Sequence, residues 1–127
     1  MTSKYLSFNE LEILKQKIIL KLLENGFTKD INNWDEEVYV KDNITAEPHF
    51  DSLLIRERID SISAVIEFNK CGITLIYYSK VCLRIEFHYD VFNQLFTLED
   101  LLNAIILNGV VRVVKDIANE VIKIFGA

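Results

Sequence analysis

The stretch from Val81 to Tyr89, V-C-L-R-I-E-F-H-Y, constrains this chain more than any other. Val81, Leu83, Ile85, Phe87 and Tyr89 share one parity, while Cys82, Arg84, Glu86 and His88 hold the other and Asp90 continues it. Successive side chains of an extended chain point to opposite sides, so strict alternation predicts a strand with one buried and one presented face. Such a strand needs neighbours, and the preceding residues supply them. Ile62, Ala64, Ile66 and Phe68 share a parity, Asn69-Lys70-Cys71-Gly72 forms a turn, and Ile73, Leu75 and Tyr77 follow.

Requiring apolar parity to match across each pair predicts the register, because a slip of one residue would turn every side chain to the other face. Phe68 then opposes Ile73 and Tyr77 opposes Leu83, which makes one face wholly apolar and suited to a helix layer. The other face carries the rows Glu67–Thr74–Glu86, Val65–Ile76–Arg84 and Ser63–Tyr78–Cys82. The competing connection is a two-residue hairpin at Ser79-Lys80, which pairs Tyr78 with Val81 and breaks the match.

The flanks read as helices with one further strand. Ser7 and Glu10 form a capping box, and Leu11, Leu14, Ile18 and Leu22 recur at helical spacing. Ile13 and Leu20 fall off that stripe, which suggests a helix buried on two sides. Thr28 to Glu36 reads as a polar connection, Val38 and Val40 mark a short strand, and Asp42 to Asp51 reads as loop. Leu53 to Ile59, with its R-E-R run, fits a helical turn or an edge strand. Thr97 and Asp100 resemble a second helix cap, Asn108-Gly109 is a break, and Val110 to Phe125 is helical with apolar residues well beyond one stripe. The expected fold is α+β, a single domain over residues 1–127. It has an N-terminal helix, a mainly antiparallel meander of about four strands, and one or two C-terminal helices packed on one sheet face.

Composition narrows the function classes. Half of the residues are hydrophobic, enough for a core without staples, and the formal charge is −5. That balance disfavours a nucleic-acid binder, whose affinity rests on Lys and Arg neutralising phosphates. An acidic inhibitor of a nucleic-acid enzyme would need Asp30, Asp35, Glu36, Glu37 and Asp42 aligned at phosphate-like spacing. Cys71 and Cys82 form no metal motif or disulfide framework. No secretory signal and no apolar run near the ~20 residues of a membrane span is evident. These features predict a cytoplasmic protein with no membrane association.

No complete catalytic motif is present, and no metal or cofactor is expected. His88 with Glu86 or Asp90 is the one acid/base grouping, and it defines the alternative reading of a small hydrolase-like enzyme. It lacks an evident nucleophile, and the simpler reading of these residues is a solvated sheet face. Metal sets drawn from His49, Cys82, His88 and Asp90 lack the close ligand pairs typical of zinc. The mixed sheet face suits binding better. Val65, Ile76 and Tyr78 form an apolar and aromatic centre ringed by Ser63, Glu67, Arg84 and Glu86, with His88 at the strand end. The expected partner-binding residues are Val65, Glu67, Ile76, Tyr78, Arg84, Glu86 and His88. The expected function is a non-enzymatic protein-binding module, of an inhibitor, immunity-type or adaptor kind, that occludes a partner surface. Whether another helix of the chain covers this face is left open. The surplus apolar surface of Val110 to Phe125 suits a homodimer through the C-terminal helix or a buried central helix.

Overall fold

The structure, a computed structural model, describes residues 5–125, with the side chain of Phe125 outside the described residues. Helix α1 (Phe8–Glu24) precedes strands β1 (Thr28–Ile31), β2 (Glu37–Lys41), β3 (Ile44–Pro48), β4 (Ser52–Ile59), β5 (Ile62–Asn69), β6 (Gly72–Tyr78) and β7 (Cys82–His88). Helices α2 (Tyr89–Leu95), α3 (Leu98–Asn108) and α4 (Val110–Phe125) follow. The strands form one sheet in chain order, β1 to β7, each antiparallel to the next. The α+β class and the meander agree with the periodicity. The sheet has seven strands, however, where the sequence pattern suggests about four, and three helices follow it where one or two are expected.

The additional strands have physical reasons for their weak signals. All four residues of β1 are exposed, so it has no apolar face to betray it. Strand β3 alternates Ile44, Ala46 and Pro48 inward, but its asparagine and proline flanks resemble loop. Pro48 is tolerated because it pairs with Leu53 at the hairpin end, where His49 N donates to Ser52 O at 2.8 Å and no bond from position 48 is needed. Residues 53–59 belong to strand β4, an interior strand paired with β3 and β5. Between β5, β6 and β7 the register is the one that apolar parity predicts: Phe68 faces Ile73, and Tyr77 faces Leu83. The β6–β7 connection spans Ser79 to Val81 and is closed by Ser79 N donating to Val81 O, so the Tyr78–Val81 hairpin does not form.

The four helices pack on one side of the sheet. Ile55, Ala64, Ile66, Phe68 and Leu75 point inward and join Ile18 and Leu22 of α1, Phe92 of α2, Leu102 and Ile105 of α3, and Val110, Val114 and Ile117 of α4 in a single core. The Ser7–Glu10 capping box starts α1, and Thr97 Oγ1 accepts from Asp100 N to start α3. Helix α1 buries one side only: Ile13 and Leu20 remain 68% and 58% exposed. Most of the surplus on α4 enters the core, while Ile122 and Ile124 stay exposed. Among the described residues no helix is long and apolar enough to cross a membrane.

Two charged residues lie inside this layer. Glu57, the middle residue of the R-E-R run, points inward and is 9% exposed, because inward parity along β4 runs Leu53, Ile55, Glu57. Its Oε1 accepts from Val111 N at 2.9 Å and so caps α4, whose preceding residue, Gly109, has no side chain to do so. Lys15, 5% exposed, donates from Nζ to His49 O at 2.6 Å and Phe50 O at 3.3 Å and pairs with Glu12, tying α1 to the β3–β4 turn. Lys15→Met keeps the aliphatic stem but leaves His49 O without this donor. The expected cost is about 1–2 kcal/mol, read as a lower urea midpoint with an unchanged slope. An unshifted midpoint would show that water replaces the ammonium there without loss.

Candidate functional site

The outward side chains of β2 to β7 form a face on the side away from the helices; Leu54, Val65, Ile76 and Tyr78 on it lie outside the core, while Val38 of β2 is buried. Its middle row runs Val40–Thr45–Arg56–Val65–Ile76–Arg84. A second row runs Glu47–Leu54–Glu67–Thr74–Glu86, and a third runs Arg58–Ser63–Tyr78–Cys82. Six of the seven expected partner-binding residues lie on three adjacent strands of this face: Val65 and Glu67 on β5, Ile76 and Tyr78 on β6, Arg84 and Glu86 on β7. Tyr78 is 45% exposed and Val65 and Ile76 are half-buried, so the apolar centre is accessible. Thr74 is buried in its row between Glu67 and Glu86.

Two arginines of the face pair with carboxylates beside them. Arg84 donates through Nε (3.1 Å) and Nη2 (2.8 Å) to Glu86 Oε1, two positions along the same strand and therefore on the same side. The hydrogen bond and charge of Glu86, with Glu67 and Tyr78 nearby, raise the guanidinium above its ordinary value. Arg56 Nη2 donates to Glu47 Oε2 at 2.6 Å, and Asn69 Nδ2 donates to Glu67 Oε2 at 2.7 Å. Each arginine of these pairs has a carboxylate beside it, so the face presents paired charges of both signs and no field of one sign.

His88 stands at the end of β7 as the residue preceding α2. Its side chain is exposed, makes no capping bond, and has the Tyr5 ring 6.3 Å away. The cavity beside it, among Asn69, Cys71, Gly72, Thr74 and Glu86, holds about 80 Å³, far below the 300–1,000 Å³ usual for a small-molecule site. Glu86 is engaged by Arg84. Asp90 lies in the first turn of α2 and does not line that cavity. Cys82 and His88 occupy opposite ends of the same strand. Among the described residues, no three His, Cys, Asp or Glu side chains come together as a metal site.

The chain matches no protein-family model, no curated protein and no solved structure. Its function must therefore be read from its own surfaces.

The acidic set lies at the far end of the sheet. Asp30, Asp35, Glu36 and Glu37 belong to the β1–β2 hairpin and Asp42 to the β2–β3 turn. Asp35 and Asp42 have φ of 59° and 53°, a conformation short polar side chains accept, which gives both a turn-forming role. Glu37 pairs with Lys29 at 2.8 Å, and Glu36 Oε1 accepts from Asn32 at 3.2 Å. One feature has no single sequence motif. A groove of about 400 Å³ runs between α1, α2 and the start of α3, with Ile13, Leu14, Ile73, Phe92 and Leu98 in its lining. The position of Ile13 off the main apolar stripe was its only trace in the sequence.

Proposed function

We propose that the protein is a non-enzymatic binding module that lays its open sheet face on another protein and acts by occluding part of that partner. The observation that carries this reading is a sheet face left bare by all four helices, with Val65, Ile76 and Tyr78 at its centre and Glu67, Arg84 and Glu86 around them. Interfaces favour such a make-up, aromatic and apolar in the middle, polar and arginine-bearing at the rim. Paired charges of both signs favour a protein partner over nucleic acid, because Arg56 and Arg84 already face carboxylates. An inhibitor, immunity-type or adaptor role fits an action that needs contact and no chemistry. The two exposed free thiols suit a reducing compartment, and we place the protein's action in the cytoplasm.

The test is capture of the partner from the native host, its identification by mass spectrometry, and calorimetric titration of the purified pair. Tyr78→Ala is expected to weaken binding about tenfold or more, as truncation of a central aromatic does. Thermal unfolding should stay near that of the unmodified protein, since this side chain is half exposed. Equal affinity of the two proteins would remove the sheet face as the binding surface.

A further inference from the structure

The two edges of the sheet are built differently. Strand β1 is a short edge of four exposed residues that includes Lys29 and Asp30, the features that blunt an edge against pairing. Strand β7 is a seven-residue edge with no proline, glycine or lysine, and no other described strand pairs with its outer side. Antiparallel neighbours alternate between pairs that exchange both main-chain bonds and pairs that exchange none. The Ser79 N to Val81 O bond, 3.0 Å long, makes Tyr78–Cys82 a non-bonded pair and Tyr77–Leu83 a bonded one. By alternation Leu83, Ile85 and Phe87 bond to β6, while Cys82, Arg84 and Glu86 direct their N–H and C=O groups away from the sheet.

We propose that β7 pairs antiparallel with β7 of a second copy of this chain, about a two-fold axis at Ile85, to join two sheets into one. This inference stands apart from the partner-binding reading and would hold if that reading failed. The pattern L-R-I-E-F is self-complementary about its centre. Ile85 meets Ile85 of the second copy, Leu83 meets Phe87 on the helix-covered side, and Arg84 meets Glu86 on the open side, twice each by symmetry. The Arg84–Glu86 pairs are then the bonded ones, so the outward main-chain groups find partners in the same register. Moving the axis to Arg84 sets two guanidinium groups opposite each other, and moving it to Glu86 sets two carboxylates opposite each other. Of these three registers only the axis at Ile85 avoids a like-charge pair, and it keeps all of L-R-I-E-F within the pairing.

A second layer fits the same register. Continued outward, it sets Val81 opposite Tyr89 of the second copy, so that copy's α2 begins beside a groove of about 380 Å³ walled by Tyr77, Val81, Leu83, Ala118 and Ile122. Val91 and Leu95 of α2, both exposed in the single chain, supply apolar surface to fill it. The wall includes the last turns of α4, where Ile122 stays exposed outside the core.

Sedimentation at micromolar concentration tests this arrangement. The full chain is expected to be a dimer, and Arg84→Glu and Glu86→Arg are each expected to weaken it on the order of thirtyfold, since both cross-strand pairs turn from attractive to repulsive. Mixing the two variants should restore association as a heterodimer, because the two carboxylates of one variant then face the two guanidinium groups of the other. That recovery also shows that both variants fold. Tyr78→Ala, on β6, should leave the dimer intact, which separates this result from loss of partner binding. A monomeric full chain, a dimer indifferent to either charge reversal, or no recovery on mixing would overturn the proposal.

Discussion

Gly72→Ala is expected to lower stability by about 3 kcal/mol, at the upper end of what overpacking costs. An added Cβ would sit 1.8 Å from the Phe87 carbonyl oxygen and 2.9 Å from His88 Cα. Both obstacles are main chain, so no side-chain rotation relieves them. Nor can the strands slip, because a shift of one residue would turn Phe87 and Ile85 outward. The remaining response is for the His88 end of β7 to lift away from Gly72, its partner in the ladder. That movement would also loosen Phe87, whose ring lies 6.2 Å from that of Phe92. Urea unfolding should give a lower midpoint, and amide exchange near Phe87 should accelerate more than at β4. A midpoint equal to that of the parent would mean that β6 and β7 have more slack than this contact allows.

Glu57→Ala is expected to cost about 3 kcal/mol. It removes the acceptor for Val111 N, worth roughly 1 kcal/mol as a helix cap, and leaves a gap beneath α4 where the carboxylate was packed. The negative charge also opposes the positive end of the helix dipole, which adds a fraction of a kcal/mol. Gly109 is the other half of this contact. Its φ of 87° is strained for any residue with a Cβ, and an alanine Cβ there would lie 2.8 Å from Glu57 Oε1. Gly109→Ala should therefore cost about 2 kcal/mol in the parent and about 1 kcal/mol in the Glu57→Ala background, where only the backbone strain remains. Chemical unfolding of the four proteins gives the coupling directly. Strict additivity would show that the carboxylate and the glycine do not constrain each other.

The residues that made the fold legible were those with an unbroken period. In β5, β6 and β7 one parity is apolar throughout, so both their existence and their register followed from it, and with them the rows of the candidate face. Strand β4 was harder because a carboxylate occupies an inward position. Glu57 makes the alternation look charged at both parities, and only its cap on Val111 N explains it. Strand β1 carries no apolar residue on a buried face, so its pairing with β2 rests on main-chain bonds that composition does not record. Tyr89 kept the parity of β7 yet begins α2, its hydroxyl donating to Asn69 O at 2.7 Å while burial pushes its titration upward. Parity assigned the helices to the wholly apolar face, but it could not tell whether one of them also covers the other. All four pack on the apolar side, which leaves the Val65–Ile76–Tyr78 centre bare.

The sheet follows chain order without a crossover, which bears on how the protein emerges from synthesis. Each strand pairs with the one made just before it, so no strand waits for a distant partner and the search for topology stays short. The helical cover is less fortunate. Helices α3 and α4 follow every strand in the chain. A nascent sheet therefore exposes Ile55, Ile66 and Leu75 with only α1, and then the short α2, to shield them until α3 and α4 leave the ribosome. The hazard on this route is sticking to other unfinished chains, and it falls in that interval between a complete sheet and an incomplete lid.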